Sequence, residues 1–295
     1  MLKVERVTKV YKVGTFGSKR LTAVRDVTFE LKPGEVVSLI GESGSGKTTV
    51  GRMILRLTPI TDGAITFDGV DVSGLEGRRL KGYYSEVQGV FQDPFSSYNP
   101  IFKADRVFSM LRSAYFSRLS GAEWQRKLDA SLHAVSLEPE AVLQKYPHQL
   151  SGGQLQRLLI ARALLLDIRY LVADEIISML DASTRIDVLN LLGELKARGL
   201  GVLFITHDLS LGHYISDRTM ILRKGVIVEL GPTGSVFGNP RHAYTKLLLD
   251  SVPQLHTKWK GDGPRTSSVA AEDEPAPDGE SPTLVEVEPG HFVAT

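Results

Sequence analysis

The sequence predicts an α/β fold in which a phosphate-loop core sheet carries an antiparallel β subdomain and an inserted α-helical subdomain. Three stretches predict it. Residues 41–49 read GESGSGKTT, between an apolar, β-branched run of strand length (35–40, EVVSLI) and a run with apolar residues at helical spacing (50–57, VGRMILRL). Residues 61–72 (TDGAITFDGVDV) set Asp-Gly turn signals among short strands, the mark of a hairpin. Residues 103–143 switch to helical periodicity, with Val107, Met110 and Leu111, then Trp124, Leu128, Leu132 and Val135, spaced by three and four.

Composition bounds the classes. The 295 residues, 42% hydrophobic and 23% charged, are ordinary for a globular chain with a sizeable core. No run approaches about 18 consecutive apolar residues, because residues 158–166 are broken by Arg162, so no segment is expected to span a bilayer. The opening MLKVERVTKV lacks an apolar signal core. Zero cysteines exclude disulfides, thiolate zinc sites and cysteine-held clusters, which makes a cytoplasmic location the default expectation. Residues 256–295 hold 3 Lys/Arg against 8 Asp/Glu in a chain of net charge +1, so the preceding body is mildly basic. That bias suits nucleotides or an anionic membrane surface and falls far short of a nucleic-acid binder's basic stripe.

In chain order, residues 2–9 and 22–31 read as strands separated by a loop with Gly14, Gly17 and Ser18. Tyr11 closes the first strand; a ring there stacks on a base or packs against the sheet, and packing is the commoner use. Next comes GxxxxGK[ST], in which Gly41, Ser43, Gly44, Ser45, Gly46, Lys47, Thr48 and Thr49 make up the loop and the helix start. A helix start presents unpaired N–H groups and the positive end of its dipole, so a polyphosphate satisfies both. Glycines let the chain curl round phosphate oxygens, Lys47 reaches the β- and γ-phosphates, and the Thr48 hydroxyl binds Mg²⁺. The bland alternative is a Gly/Ser turn before a helix.

After the hairpin, a strand at 86–91 (EVQGVF) ends in Gln92, which opens the turn-rich QDPFSSYNP. Its amide either coordinates Mg²⁺ or is a plain loop residue. Ser120 and Glu123 form a capping box for one of the helices that follow, and the helical subdomain is expected over about 93–160. His133, His148, His213 and His242 have no metal-ligand spacing.

At residues 150–154 the chain reads LSGGQ, followed by Gln156, Arg157 and IARALLL. With the phosphate loop before it and an apolar strand ending in Asp174-Glu175 after it (170–175, YLVADE), the chain resembles the ATP-binding subunits of ABC transporters. The resemblance implies an ABC-type nucleotide-binding domain over 1–255, with ATP as substrate and Mg²⁺ as cofactor. By it, Asp174 holds the metal through water with Thr48 and Gln92, while Glu175 orients or deprotonates the attacking water. His207, after the strand VLFIT, matches the switch histidine; SMLD with Asp181 matches the D-loop; Tyr11 becomes an adenine-stacking residue. Ser151, Gly152, Gly153 and Gln154 act in trans, because two cassettes pack head to tail and each signature closes the other's ATP site.

Within the family, FQDPFSSYNP, YPHQLSGGQ and NPRHAYTKLLLDSVP resemble the oligopeptide and dipeptide importer branch. That implies a peripheral protein at the cytoplasmic face of the cell membrane. Its partners would be a second, non-identical ATPase, two transmembrane permeases and an extracytoplasmic binding protein, with no nucleic acid; peptides lead as cargo over oligosaccharides and nickel. Related chains often end in a cysteine-held iron–sulfur cluster, which a chain without cysteine is not expected to carry. Residues 256–282 read as a flexible acidic linker and 283–295 as a strand-like segment, expected to dock through Leu284, Val285, Val287 and Phe292. Three positions depart from the family pattern: Leu155 after the signature, and Ile168 and Ile176 where prolines are usual. None removes a catalytic group. The competing readings are a soluble ABC ATPase of DNA repair or translation, disfavoured by the single cassette without heptads, and a regulatory subunit that binds ATP without turnover, disfavoured by Glu175 and His207.

Overall fold

A computed structural model describes residues 1–13, 19–251 and 282–295 of the chain. Two sheets organise it. In the smaller, β1 (Leu2–Val13) lies between β2 (Lys19–Leu31) and β4 (Asp62–Phe67), and β5 (Val70–Asp71) closes the edge, all antiparallel. The turn between β4 and β5 is Asp68-Gly69, with φ of 49° and 80°. Positive φ at both central residues is what a two-residue hairpin turn needs to match strand twist.

The larger sheet takes β3 (Val36–Ile40), β6 (Val87–Val90), β7 (Tyr170–Asp174), β8 (Gly201–Thr206), β9 (Arg218–Arg223), β10 (Val226–Pro232), β11 (Leu284–Glu288) and β12 (His291–Ala294), in the order β11-β12-β10-β9-β3-β8-β7-β6. From β9 to β6 neighbours run parallel, and the β10, β11 and β12 edge is antiparallel. β3, β7 and β8 are buried at every position, as parallel strands covered on both faces must be.

Helices supply the cover: α1 (Lys47–Ile54), α2 (Gly77–Glu86), α3 (Arg106–Tyr115), α4 (Gly121–His133), α5 (Pro139–Val142), α6 (Gly152–Leu164), α7 (Ala182–Ala197), α8 (Leu209–Ile215), α9 (Thr233–Gly238) and α10 (Ala243–Asp250). The strand period of two sends Leu171, Ala173, Val202 and Phe204 to one face, where they join Leu128, Leu132, Leu158, Leu159 and Leu192 of the helices. Val172, Leu203 and Ile205 point the other way, into a core with Val50, Met53 and Ile54 of α1 and Val4, Val7 and Val27 of the small sheet. α1 lies so close that a Cβ on Gly51 would stand 3.0 Å from both Ile205 and Val172. Among the described residues no helix is long and apolar enough to cross a membrane.

Several expectations need correcting. The helix after the phosphate loop ends at Ile54, not at 57, and leaves Leu57 exposed. In α3 the core position belongs to Phe108, while Met110 is 63% exposed. α2 carries no apolar stripe to mark it in the sequence, since only Tyr83 in it is buried. The terminal segment docks as a hairpin, with Glu229 opposite Val293 and Leu230 opposite Phe292, and of the four residues expected to dock only Leu284 and Phe292 pack against the core. Val285 and Val287 are exposed instead, while Val293 and His291 are buried. Leu155 and Ile176 lie fully inside the core and Ile168 packs partly against it. The expected linker at 256–282 lies, through residue 281, outside the described residues.

Candidate functional site

The parallel strands deliver their carboxyl ends to one edge, and an α/β sheet places its chemistry there. β3 ends at Ile40 and the chain turns at Gly41, where a Cβ would stand 2.2 Å from the Leu222 carbonyl oxygen. Gly46 sits at φ +107°, and a Cβ there would meet the Ala23 carbonyl oxygen at 2.4 Å. No L side chain fits either place, so the loop curls with its backbone facing inward.

Lys47, the first residue of α1, is 5% exposed, and its Nζ donates to the Gly41 and Glu42 carbonyl oxygens at 2.7 and 2.8 Å. Burial pushes its ammonium down from the ordinary lysine range, opposed by the charges of Glu175 and Asp174. The buried Ser45 Oγ has no hydrogen-bond partner among the described residues. A cradle with an unsatisfied hydroxyl and a buried cation fits an incoming polyphosphate.

β7 brings Asp174 under the same helix start, where the Thr48 hydroxyl donates to its carboxylate at 3.2 Å. Desolvation raises Asp174, with the Thr48 hydrogen bond pulling the other way. Glu175 has left the strand: φ is +51°, and its N–H donates to the Ile205 carbonyl oxygen at 2.9 Å. A non-glycine residue held there is costly, and such strain gathers at working sites. The turn aims the Glu175 carboxylate at His207, with Oε1 3.1 Å from Nδ1.

Lys47, Thr48, Glu175 and His207 share one cavity of about 510 Å³. Ser43, Gly44, Gly46, Lys47, Thr48 and Thr49 line it, with Gln92, Glu175, His207 and Ala23 completing the lining. A second cavity, also about 510 Å³, takes Thr48, Gln92 and Asp174 on its wall. Hydroxyl, amide and carboxylate are hard oxygen donors, and Mg²⁺ takes few protein ligands beside phosphate and water, so these three residues fit that ion. Gly41 and Ser45 shape the loop without lining the first cavity, and Tyr11 stands apart on β1, opposite Leu21 and under the Lys9 ammonium.

The signature residues are elsewhere. Ser151 caps α6 in a capping box, its Oγ accepting from Gln154 N at 3.2 Å while the Gln154 Oε1 accepts from Ser151 N at 2.9 Å. Gly152 and Gly153 follow as the first turn of that helix. Asp181 caps α7, accepting from Thr184 N at 3.0 Å and Ser183 Oγ at 2.6 Å, which holds its carboxyl well below the usual range. None of these lines the phosphate-loop cavity. Sequence reasoning missed Ala23, which meets the loop through its backbone and so carries no motif, and Tyr244, whose hydroxyl accepts from Glu42 N at 3.3 Å.

Residues 24–178 match the ABC transporter family and residues 228–279 match the oligopeptide/dipeptide transporter C-terminal region. The oligopeptide transport ATP-binding protein AmiF of Streptococcus pneumoniae serotype 4 is 42% identical over 283 residues, covering 94% of this chain and 90% of its own. The oligopeptide transport ATP-binding protein OppF of Bacillus subtilis is 40% identical over 273 residues, covering 92% and 89%. A solved dimeric ATP-binding cassette, MJ0796 in a post-hydrolysis state bound to ADP and Pi, aligns with TM-score 0.71 at 31% identity, over 79% of this chain and 99% of that one. On its sequence, its fold and its relatives alike, the chain belongs to the ABC transporter family, as an ATP-binding cassette.

Proposed function

We propose that this protein is the ATP-hydrolysing subunit that powers import of oligopeptides or dipeptides through a membrane ABC transporter. The observation that carries the proposal is the convergence of Lys47, Thr48, Glu175 and His207 on one cavity behind a phosphate loop. The relatives' names, oligopeptide transport ATP-binding proteins, support the cargo class.

In the catalytic reading, Lys47 stays on the Gly41 and Glu42 carbonyls, which take two of its three N–H donors, and turns the third to the β- and γ-phosphate oxygens of ATP. Thr48, Asp174 and Gln92 hold Mg²⁺, with Asp174 acting through water; when bound, the ion supplies positive charge against the phosphates. Glu175 takes the proton of the attacking water, and His207, already on its carboxylate, holds that water and the γ-phosphate end. The strained turn at Glu175 preorganises this pair. Tyr11 is assigned to the adenine face.

Ser151, Gly152, Gly153 and Gln154 serve the partner cassette's ATP. The start of α6, a 13-residue helix capped by Ser151, presents backbone N–H groups beside an exposed Ser151 and away from the chain's own loop, which suits an acceptor on a second cassette. Asp181, held in its cap, is assigned to the contact between cassettes. ATP draws the pair closed and hydrolysis releases it. Gln92 borders both cavities and is followed by the exposed Phe95 and Ile101, a surface suited to the permease. The assembly holds a second, non-identical cassette, two permease subunits and an extracytoplasmic binding protein, at the cytoplasmic face of the membrane. The cassette domain is assigned to 1–255 and its helical subdomain to about 93–160.

Affinity purification of the tagged protein from detergent-solubilised membranes of its host tests the assembly. Recovery of two multispanning proteins with a second cassette supports it. Recovery of ribosomal or DNA-repair partners overturns it.

A further inference from the structure

Tyr244 lies about two hundred residues from the phosphate loop in sequence and touches it in space. It is the second residue of α10, 5% exposed, set among Ile40, Ile221 and Val236. Its hydroxyl accepts from the Glu42 N–H at 3.3 Å, and the Arg223 guanidinium stands 5.1 Å from its ring centre. The Glu42 N–H and the Gly41 carbonyl are the two ends of one planar peptide unit. The Gly41 oxygen at the other end accepts from Lys47 Nζ at 2.7 Å. The next carbonyl, that of Glu42, accepts from Lys47 Nζ at 2.8 Å and from Ser45 N at 3.2 Å.

We infer that Tyr244 is a positioning residue for nucleotide binding: its hydroxyl fixes the Gly41–Glu42 peptide plane and through it the resting place of Lys47. The inference rests on the assignment of this loop to ATP. A free peptide plane rocks, and the carbonyls that preorganise the lysine rock with it; a pinned plane delivers the ammonium at one point in the loop. α10 is itself anchored, since its cap His242 accepts from Tyr244 N through Nδ1 at 3.1 Å. The N–H groups of Arg241 and His242 donate to the Glu229 carboxylate at 2.8 and 3.0 Å, and that carboxylate meets His291 of the terminal hairpin at 2.7 Å. The last strand of the chain is thereby tied to the first catalytic loop by a continuous run of hydrogen bonds. The hydroxyl is the member of that run that reaches the loop.

Tyr244→Phe removes it and keeps the ring, its burial and the Arg223 contact. In the full chain the Kd for MgATP, read by titration calorimetry, should rise about fivefold, as the loop loses preorganisation of its lysine. KM should rise by a like factor while kcat stays within about twofold, because the bond acts before the chemistry. In a Lys47→Ala background the same change should alter Kd by less than twofold, since no ammonium is left to position. The thermal midpoint of Tyr244→Phe should lie within about 4 °C of the unaltered protein, the cost of one hydrogen bond. Unchanged Kd in Tyr244→Phe overturns the inference, and so does an equal loss in the Lys47→Ala background, which would mark general loosening. Failure of the unaltered protein to bind MgATP would instead overturn the assignment of the loop to ATP, and the inference with it.

Discussion

Replacing His291 with alanine should release the terminal hairpin from the sheet while leaving the cassette folded. The ring is fully buried against the fully buried Glu229, Nε2 to Oε1 at 2.7 Å, and its Nδ1 has no partner among the described residues. A hydrogen bond to a charged group contributes about 1.5–3 kcal/mol. Glu229 keeps two backbone donors, Arg241 N at 2.8 Å and His242 N at 3.0 Å, but the burial of the imidazole is lost as well, so the upper end, about 3 kcal/mol, applies. The hairpin is also held by two paired positions on β10, by the buried Val293, by Leu284, Phe292 and Ala294 packed partly buried against the core, and by the exposed Arg241 and Asn239 contacts to Glu288. It forms the outer edge of the large sheet, so the loss falls on its local opening. Hydrogen exchange followed by mass spectrometry should show residues 283–295 and 226–232 exchanging about a hundredfold faster, with the phosphate-loop core unchanged. Exchange within threefold of the unaltered protein would refute the reasoning.

Three further outcomes follow from the same geometry. Glu175→Gln keeps the shape of the cavity and loses the base, so phosphate release should fall by about 10²–10⁴ while filter-bound ATP is retained. Lys47→Ala removes a charged donor already present at rest and should weaken MgATP binding about 10- to 100-fold in calorimetry. Asp68 is held at about 2 by the Arg169 guanidinium and the amino terminus, so its stabilisation is present above about 4 and lost as pH falls through 2. Because Asp68 and Arg169 are 45% and 39% exposed, screening limits the cost of Asp68→Asn to about 1 kcal/mol or less at pH 7. Melting curves should show that gap closing as pH is lowered from 7.

Much of the site was legible because its pieces are contiguous and chemically specific. GxxxxGK[ST] needs its spacing to wrap a phosphate, and a wholly apolar strand ending in Asp174-Glu175 announces its own depth. The Asp68-Gly69 turn and the Ser120–Glu123 capping box are local for the same reason. What could not be read lies in contacts across the chain. Glu229 and His291 are 62 residues apart, and neither looks unusual until both are buried together. Tyr244 reads as an aromatic on an amphipathic helix, and only the fold sets its hydroxyl beside Glu42. The alternation at Leu284, Val285, Val287 and Phe292 marks a strand, and Leu284 and Phe292 do pack against the core, but an edge strand leaves part of its apolar set in solvent and hydrophobicity alone does not single out Val285 and Val287 as that part. In α3 the periodicity put Met110 inward, whereas the bulkier Phe108 fills the core.

The central claim is that hydrolysis in this cavity drives peptide import, and uptake tests it most directly. The complex that co-purifies with the protein would be placed in liposomes, with MgATP on the cassette side and the substrate-binding protein with a labelled oligopeptide on the other. The account predicts accumulation of label with the unaltered protein and none with Glu175→Gln. Equal accumulation with both would contradict it.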